Sequence, residues 1–147
     1  IFFLTHTRQY EILSGLVGSE MCIRDSDKES ILNYDNSLWN NNPLERSIND
    51  IALGSFKEKD RSEIKGTLNI SESIEAALWV FDKSSSFAEG ALMAVNLGDD
   101  ADTTAAIFGQ LGGAFYGYES IPNDWKLDLI DRGLVEYLAQ SLFDARK

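Results

Sequence analysis

Asp102-Thr103-Thr104-Ala105-Ala106-Ile107-Phe108-Gly109-Gln110-Leu111-Gly112-Gly113-Ala114-Phe115-Tyr116-Gly117-Tyr118 is the stretch on which the fold turns. It shows no alternation of apolar and polar residues, whereas Ala105, Gly109, Gly113 and Gly117 recur at every fourth position. That spacing lines small side chains along one stripe of a helix. Each glycine costs about 1 kcal/mol of helix propensity relative to alanine, so packing must compensate. The pattern predicts a helix over 102–118, buried at the centre of a bundle, with a neighbouring backbone close against the glycine stripe.

The segments on either side read the same way. Ser86 and Glu89 have the spacing of a capping box opening a helix from Phe87 to Leu97, and Gly98 stands where a glycine stop belongs. Asn69 and Glu72 repeat that spacing ahead of an apolar stripe of Ile74, Ala77, Leu78 and Phe81. Pro43 suits the first turn of a helix carrying Leu44, Ile48, Ile51 and Ala52 up to Gly54, and residues 56–65 read as charged loop. Residues 33–42, rich in Asn and Asp, read as an irregular entry or a short helix. Downstream, Pro122 and Trp125 lead into a last amphipathic helix through Leu129, Leu134, Leu138 and Leu142. No segment has the period of two that marks a strand. The expected class is all-α, a helical bundle.

Composition narrows the function. The 147 residues, 44% of them hydrophobic, suffice for one domain. Acidic residues outnumber basic ones 24 to 13, for a net charge of −11, which argues against a nucleic-acid partner. The longest apolar run, residues 76–81, is far below the ~18 residues that a membrane helix needs. The single cysteine, Cys22, excludes a disulfide framework and suits the cytoplasm.

The first 26 residues read differently from the rest. The chain opens Ile1-Phe2-Phe3-Leu4, without the apolar core of a signal peptide, and holds its only His (His6) and only Cys in this stretch. The run Val17-Gly18-Ser19-Glu20-Met21-Cys22-Ile23-Arg24-Asp25-Ser26 resembles translated adapter or vector sequence. The expectation is a non-native leader over residues 1–26 and a C-terminal part of one domain over 27–147.

Beyond the leader there is no His and no Cys, which removes His- or Cys-based catalysis, structural zinc and haem ligation. Carboxylates, hydroxyls and amides remain, and these hard donors suit Mg²⁺, Mn²⁺ or Ca²⁺. They concentrate in Gly98-Asp99-Asp100-Ala101-Asp102-Thr103-Thr104. Three carboxylates in four residues repel one another, and the helix dipole offsets only part of that. Asp100 and Asp102 can point the same way, with the Thr103 hydroxyl beside them. The competing reading is an acidic cap on a solvated surface. An EF-hand loop beginning at Asp100 fails, because it would want Gly at Ala105 and Glu at Leu111. Asp100 to Thr104 also fits the Asp-x-Asp-x-Thr of haloacid-dehalogenase-type phosphatases, but that motif follows a buried strand and this one follows a helical pattern. Trp79, Trp125 and Tyr116 read as core or cleft wall, and Glu75, off its helix's stripe, as solvated.

Four segments, taken together and in order, resemble the C-terminal part of the ADP-ribosylglycohydrolase family over residues 45–140. They are Ser73-Ile74-Glu75-Ala76-Ala77-Leu78-Trp79, Ala94-Val95-Asn96-Leu97-Gly98-Asp99-Asp100-Ala101-Asp102-Thr103-Thr104, Gly109-Gln110-Leu111-Gly112-Gly113-Ala114-Phe115-Tyr116-Gly117, and Ile121-Pro122 with Trp125. The resemblance implies an all-α bundle around two divalent ions, Mg²⁺ or Mn²⁺. It implies Asp100, Asp102 and Thr103 as metal ligands, with Asp100 and Asp102 catalytic and Asp102 shared between the ions. Asp99 stands where the family often has Gly. Leu68-Asn69-Ile70-Ser71 replaces the common Gly-Tyr-Val-Val, so an aromatic is missing at that place. The family's N-terminal acidic motif, typically Thr-Asp-Asp, has no match in residues 27–97.

The implied activity is hydrolysis of the glycosidic bond joining ADP-ribose to a protein side chain or small molecule. It belongs to the intact protein, with this chain inactive alone. A catalytically silent member that binds ADP-ribose or serves as a structural subunit is the alternative.

Overall fold

A computed structural model describes residues 27–32 and 44–145. The leader expected over 1–26, the irregular entry at 33–42 and Pro43 lie outside them. Among the described residues there are seven α-helices and no strand: α1 (Lys28–Ile31), α2 (Arg46–Ala52), α3 (Ile70–Lys83), α4 (Phe87–Val95), α5 (Ala101–Tyr116), α6 (Asn123–Asp128) and α7 (Arg132–Asp144). The helix that precedes the acidic motif is the setting that the phosphatase reading excludes.

The starts of α3 and α4 come from short polar side chains that accept otherwise unpaired amides. Asn69 Oδ1 accepts the Ser71 amide at 3.1 Å, and Ser86 Oγ accepts the Glu89 amide at 3.2 Å. Neither completes a box. Glu72 accepts the Thr67 hydroxyl instead of reaching back to Asn69. Glu89 takes the Ser85 amide at 2.7 Å, one residue before the cap, and the Ser85 hydroxyl and amide hold its carboxyl below the usual range. The expected charged loop contains two 3₁₀ turns, Ser55–Glu58 and Arg61–Glu63, and buries Phe56 and Ile64.

Helices α3, α4 and α5 pack against one another and carry the core. From α3, Ala76, Ala77, Val80 and Phe81 are fully buried, and Trp79 sends its indole N–H to the Lys59 carbonyl at 2.9 Å. Helix α5 is central as expected, but it buries a different stripe. Thr104, Phe108 and Gly112 face inward, one turn apart, whereas a side chain at Gly109 or Gly113 would meet nothing within 4 Å. The close approach is made by Gly90 of α4: a Cβ there would lie 2.1 Å from the Phe108 ring. One glycine thus lets α4 lie against a phenylalanine of α5.

Two further expectations are corrected. Glu75 is not solvated: its carboxylate pairs with Lys59 Nζ at 2.6 and 2.7 Å and accepts Ser55 Oγ at 3.1 Å, which ties the 3₁₀ turns to α3. The last helix is two helices, because the chain turns at Asp131, whose φ is +56°. Leu134, Leu138 and Leu142 form the anticipated stripe on α7, but all three are exposed. Trp79 is buried and Tyr116 half-buried, as core residues should be, while Trp125 is exposed.

Helix α1 packs on the core through Ile31 and, at its C-cap, buried Leu32, and adds one charged contact. Lys28 Nζ donates to the Phe81 carbonyl at 2.6 Å and to the Ser84 carbonyl, at the end of α3, and lies 5.0–5.8 Å from the rings of Phe81, Phe115 and Tyr116. A cation at a helix C-terminus meets both the dipole and the unpaired carbonyls. Lys28→Met keeps the stem and removes the charge; urea denaturation of the full chain should show a loss of about 1.5–3 kcal/mol, the range for hydrogen bonds to charged groups. Unchanged stability would mean that this contact does not hold α1.

Candidate metal centre at the start of the glycine-rich helix

The acidic motif sits where α4 hands over to α5. Helix α4 ends at Asn96, whose side-chain amide donates back to the Leu92 carbonyl at 2.7 Å. Gly98 and Asp99 then both adopt left-handed conformations, with φ of +82° and +53°. Glycine does this freely, and Asp is among the few other residues that visit the region. A backbone of this kind admits Asp as well as Gly at position 99. The reversal brings Asp100 to the N-cap of α5, where its carbonyl accepts the Thr104 amide at 3.2 Å.

Asp100 caps with backbone alone: its side chain makes no cap hydrogen bond, so the carboxylate is available to a ligand. Its own amide donates to the Gly66 carbonyl at 2.6 Å. Asp102, in the first turn, is exposed, and its Oδ1 accepts the Thr103 amide at 3.0 Å. Thr103 is half-buried beside it. Below them Thr104 is fully buried, and its hydroxyl is the one buried side-chain polar atom without a partner among the described residues.

A cleft of about 520 Å³ opens at this point, lined by Thr67, Leu68, Asp99 and Asp100. Its volume is within the range of small-ligand sites. Asp100 therefore faces the cleft, while Asp102 and Thr103 lie beside it rather than in its lining. The acidic wall is a visible motif of the sequence, whereas Thr67 and Leu68 opposite it carry no such signal. That second wall is rigid: the Thr67 carbonyl accepts Ser73 Oγ at 2.6 Å and the Thr67 hydroxyl accepts the Asn69 amide at 3.1 Å.

The donor set fits a divalent cation in kind. Two carboxylates and a hydroxyl are hard oxygen ligands, and the Asp100 carboxylate is not consumed by capping. The set is small. Among the described residues no three His, Cys, Asp or Glu side chains converge as a metal-holding group.

An all-α bundle with a Gly-Asp-Asp-x-Asp-Thr turn feeding a glycine-rich helix defines a class, and comparison with known proteins names it. The sequence matches the ADP-ribosylglycohydrolase family model over residues 4–147, and the chain belongs to that family. It is 41% identical, over 69% of its length, to ADP-ribosylarginine hydrolase Tri1 of Serratia proteamaculans, and spans 28% of that protein. Over 41% of its length it is 39% identical to the ADP-ribosyl-[dinitrogen reductase] glycohydrolase of Rhodospirillum rubrum, spanning 21% of it. A solved structure described as an ADP-ribosylglycohydrolase-related protein complex superposes on 93% of the chain with a TM-score of 0.77 and 33% identity, 46% of that chain being covered. The chain thus spans about a quarter of the first curated relatives and under half of the solved neighbour.

Proposed function

We propose that this chain contributes the C-terminal part of a metal-dependent hydrolase that removes ADP-ribose from a modified protein or small molecule. Asp100, Asp102 and Thr103 would hold a divalent cation, Mg²⁺ or Mn²⁺, one of two in the complete site. The observation that carries the reading is the Asp100 carboxylate, free of capping duty and facing a ligand-sized cleft. The names of the relatives support ADP-ribosyl hydrolysis, and ADP-ribosylated protein as the substrate class. Residues 27–147 contain no cysteine and so no disulfide, which suits a cytoplasmic setting. No described helix is long and apolar enough to cross a membrane.

A bound divalent ion would supply Lewis acidity, polarising a ribose hydroxyl and lowering the pKa of water toward neutrality. The residues of this chain supply the rest. The reaction breaks the bond between the anomeric carbon and the side-chain or small-molecule leaving group, and water adds at that carbon through an oxocarbenium-like transition state. Asp100, at the cleft, is placed to orient the ribose and to accept the proton of the attacking water. The proton that Asp100 takes from water is returned to the leaving side chain or small molecule, so the hydrolysis balances with no net gain or loss of protons. Asp102 anchors the negative charge of the site at the start of α5, where the helix dipole stabilises it.

Two carboxylates and one hydroxyl make half of a binuclear centre. The full chain should bind Mn²⁺ weakly in a calorimetric titration and release no ADP-ribose from ADP-ribosylated protein. Metal-dependent turnover by this chain alone would overturn the half-site reading. The small donor set also keeps open a member that binds ADP-ribose without cleaving it. That reading requires ADP-ribose affinity independent of added cation.

A further inference from the structure

We infer that Gly66 is a positioning residue for the acidic motif, holding Asp100 in place through its carbonyl and through the absence of a side chain. The inference rests on the reading of Asp100, Asp102 and Thr103 as cation ligands, and adds to it a buried residue next to the opposite wall of the cleft. Gly66 is buried, and its carbonyl accepts the Asp100 amide at 2.6 Å. This bond joins the second wall of the cleft to the start of α5. The wall is itself tied to α3 by fully buried Ser73, whose hydroxyl donates to the next carbonyl, that of Thr67, at 2.6 Å. A continuous path therefore runs from the core helix α3, through two successive carbonyls, to the backbone of Asp100.

Backbone conformation is not what demands glycine at position 66, since its φ is not positive. Space is. A Cβ would lie 2.5 Å from Thr104 Oγ1, 3.6 Å from Thr104 Cβ and 3.9 Å from the Gly98 carbonyl oxygen. Thr104 is fully buried in the first turns of α5 and has little room to swing away. A methyl group at position 66 must therefore push the start of α5 and the backbone at residues 66–67 apart. The contact that yields is the Asp100 N–H to Gly66 bond. The unpartnered Thr104 hydroxyl fits the same account: the position packs against Gly66, with no bonding partner for its oxygen. Outer-shell supports of this kind typically cost about 10–100-fold in metal affinity when altered.

The test uses the full chain with Mn²⁺ as probe, and amide hydrogen exchange read by NMR on the metal-free protein. Gly66→Ala should speed exchange at the Asp100 amide and weaken Mn²⁺ binding by about tenfold or more. Thr104→Ala alone should leave Mn²⁺ affinity close to wild type. Combined with Gly66→Ala, it removes the obstructing oxygen and should restore both readouts. Gly90→Ala, which pushes on Phe108 one turn further along α5, should lower stability while sparing Mn²⁺ affinity, separating positioning from general loosening. Wild-type exchange at Asp100 and wild-type Mn²⁺ affinity in Gly66→Ala would overturn the inference. So would a double variant that folds yet recovers neither readout. A wild-type chain with no Mn²⁺ affinity at all would overturn the cation reading, and with it the role assigned to Gly66, even where the amide of Asp100 responds.

Discussion

Asp102→Asn should lower cation affinity and turnover together, each by at least the ~10–100-fold that loss of a mere outer-shell partner costs. The amide keeps the shape of the side chain and its acceptor oxygen, so the 3.0 Å bond from the Thr103 amide survives. What disappears is a negative charge in a set of two carboxylates and one hydroxyl. Cation affinity is measurable on this chain, and turnover on any protein that joins this chain to the remainder of a family domain. If the motif were only an acidic cap, Asp102→Asn would relieve repulsion, raise stability slightly and leave activity unchanged. Asp99→Gly is the control. At a φ of +53° glycine relieves a strain of about 1 kcal/mol, so activity should persist and stability rise. Wild-type turnover with unchanged cation affinity in Asp102→Asn would remove Asp102 from the set of cation ligands.

Phe108→Ala should be the most damaging single change to the fold described above. The ring is fully buried between Gly90 and Gly112 and lies 5.8 Å, centroid to centroid, from Phe87. Truncating a buried phenylalanine costs about 3–5 kcal/mol through lost transfer energy and the cavity left behind. The walls of this cavity include two glycines, which have no side chains to relax into it. Chemical denaturation of the full chain should show the loss directly. A cost under about 1 kcal/mol, the scale of an ordinary surface change, would mean that α4 and α5 do not meet at this ring.

The helices were legible because their signals are local. Asn69 and Ser86 cap the turns beside them, and the stripes of α3 and α4 are visible in their own spacing. The acidic motif was legible for the same reason, being a run of seven residues. What could not be read was which side of α5 the bundle covers. Two stripes compete on that helix, one of small residues and one holding Phe108, and the choice rests with Gly90 on another helix. Glu75 was misjudged on similar grounds: its partner Lys59 is 16 residues away and in a different element. The second wall of the cleft is joined to the acidic motif through the carbonyl of Gly66, just behind it, and every residue has a carbonyl. Such a contact leaves no trace in residue type except the missing side chain.

The left-handed turn at Gly98–Asp99 also bears on how this motif can drift. A backbone position at positive φ admits few residue types without strain, chiefly Gly, Asn and Asp. In the genetic code these three are neighbours. A single base change converts a glycine codon to aspartate, and another converts aspartate to asparagine. Position 99 can therefore wander among neutral and acidic states in single mutational steps while the turn keeps its shape and Asp100 keeps its place at the head of the helix. From the Asp found here, one base change leads to glycine and another to asparagine, and either would alter the local charge while leaving the turn its conformation.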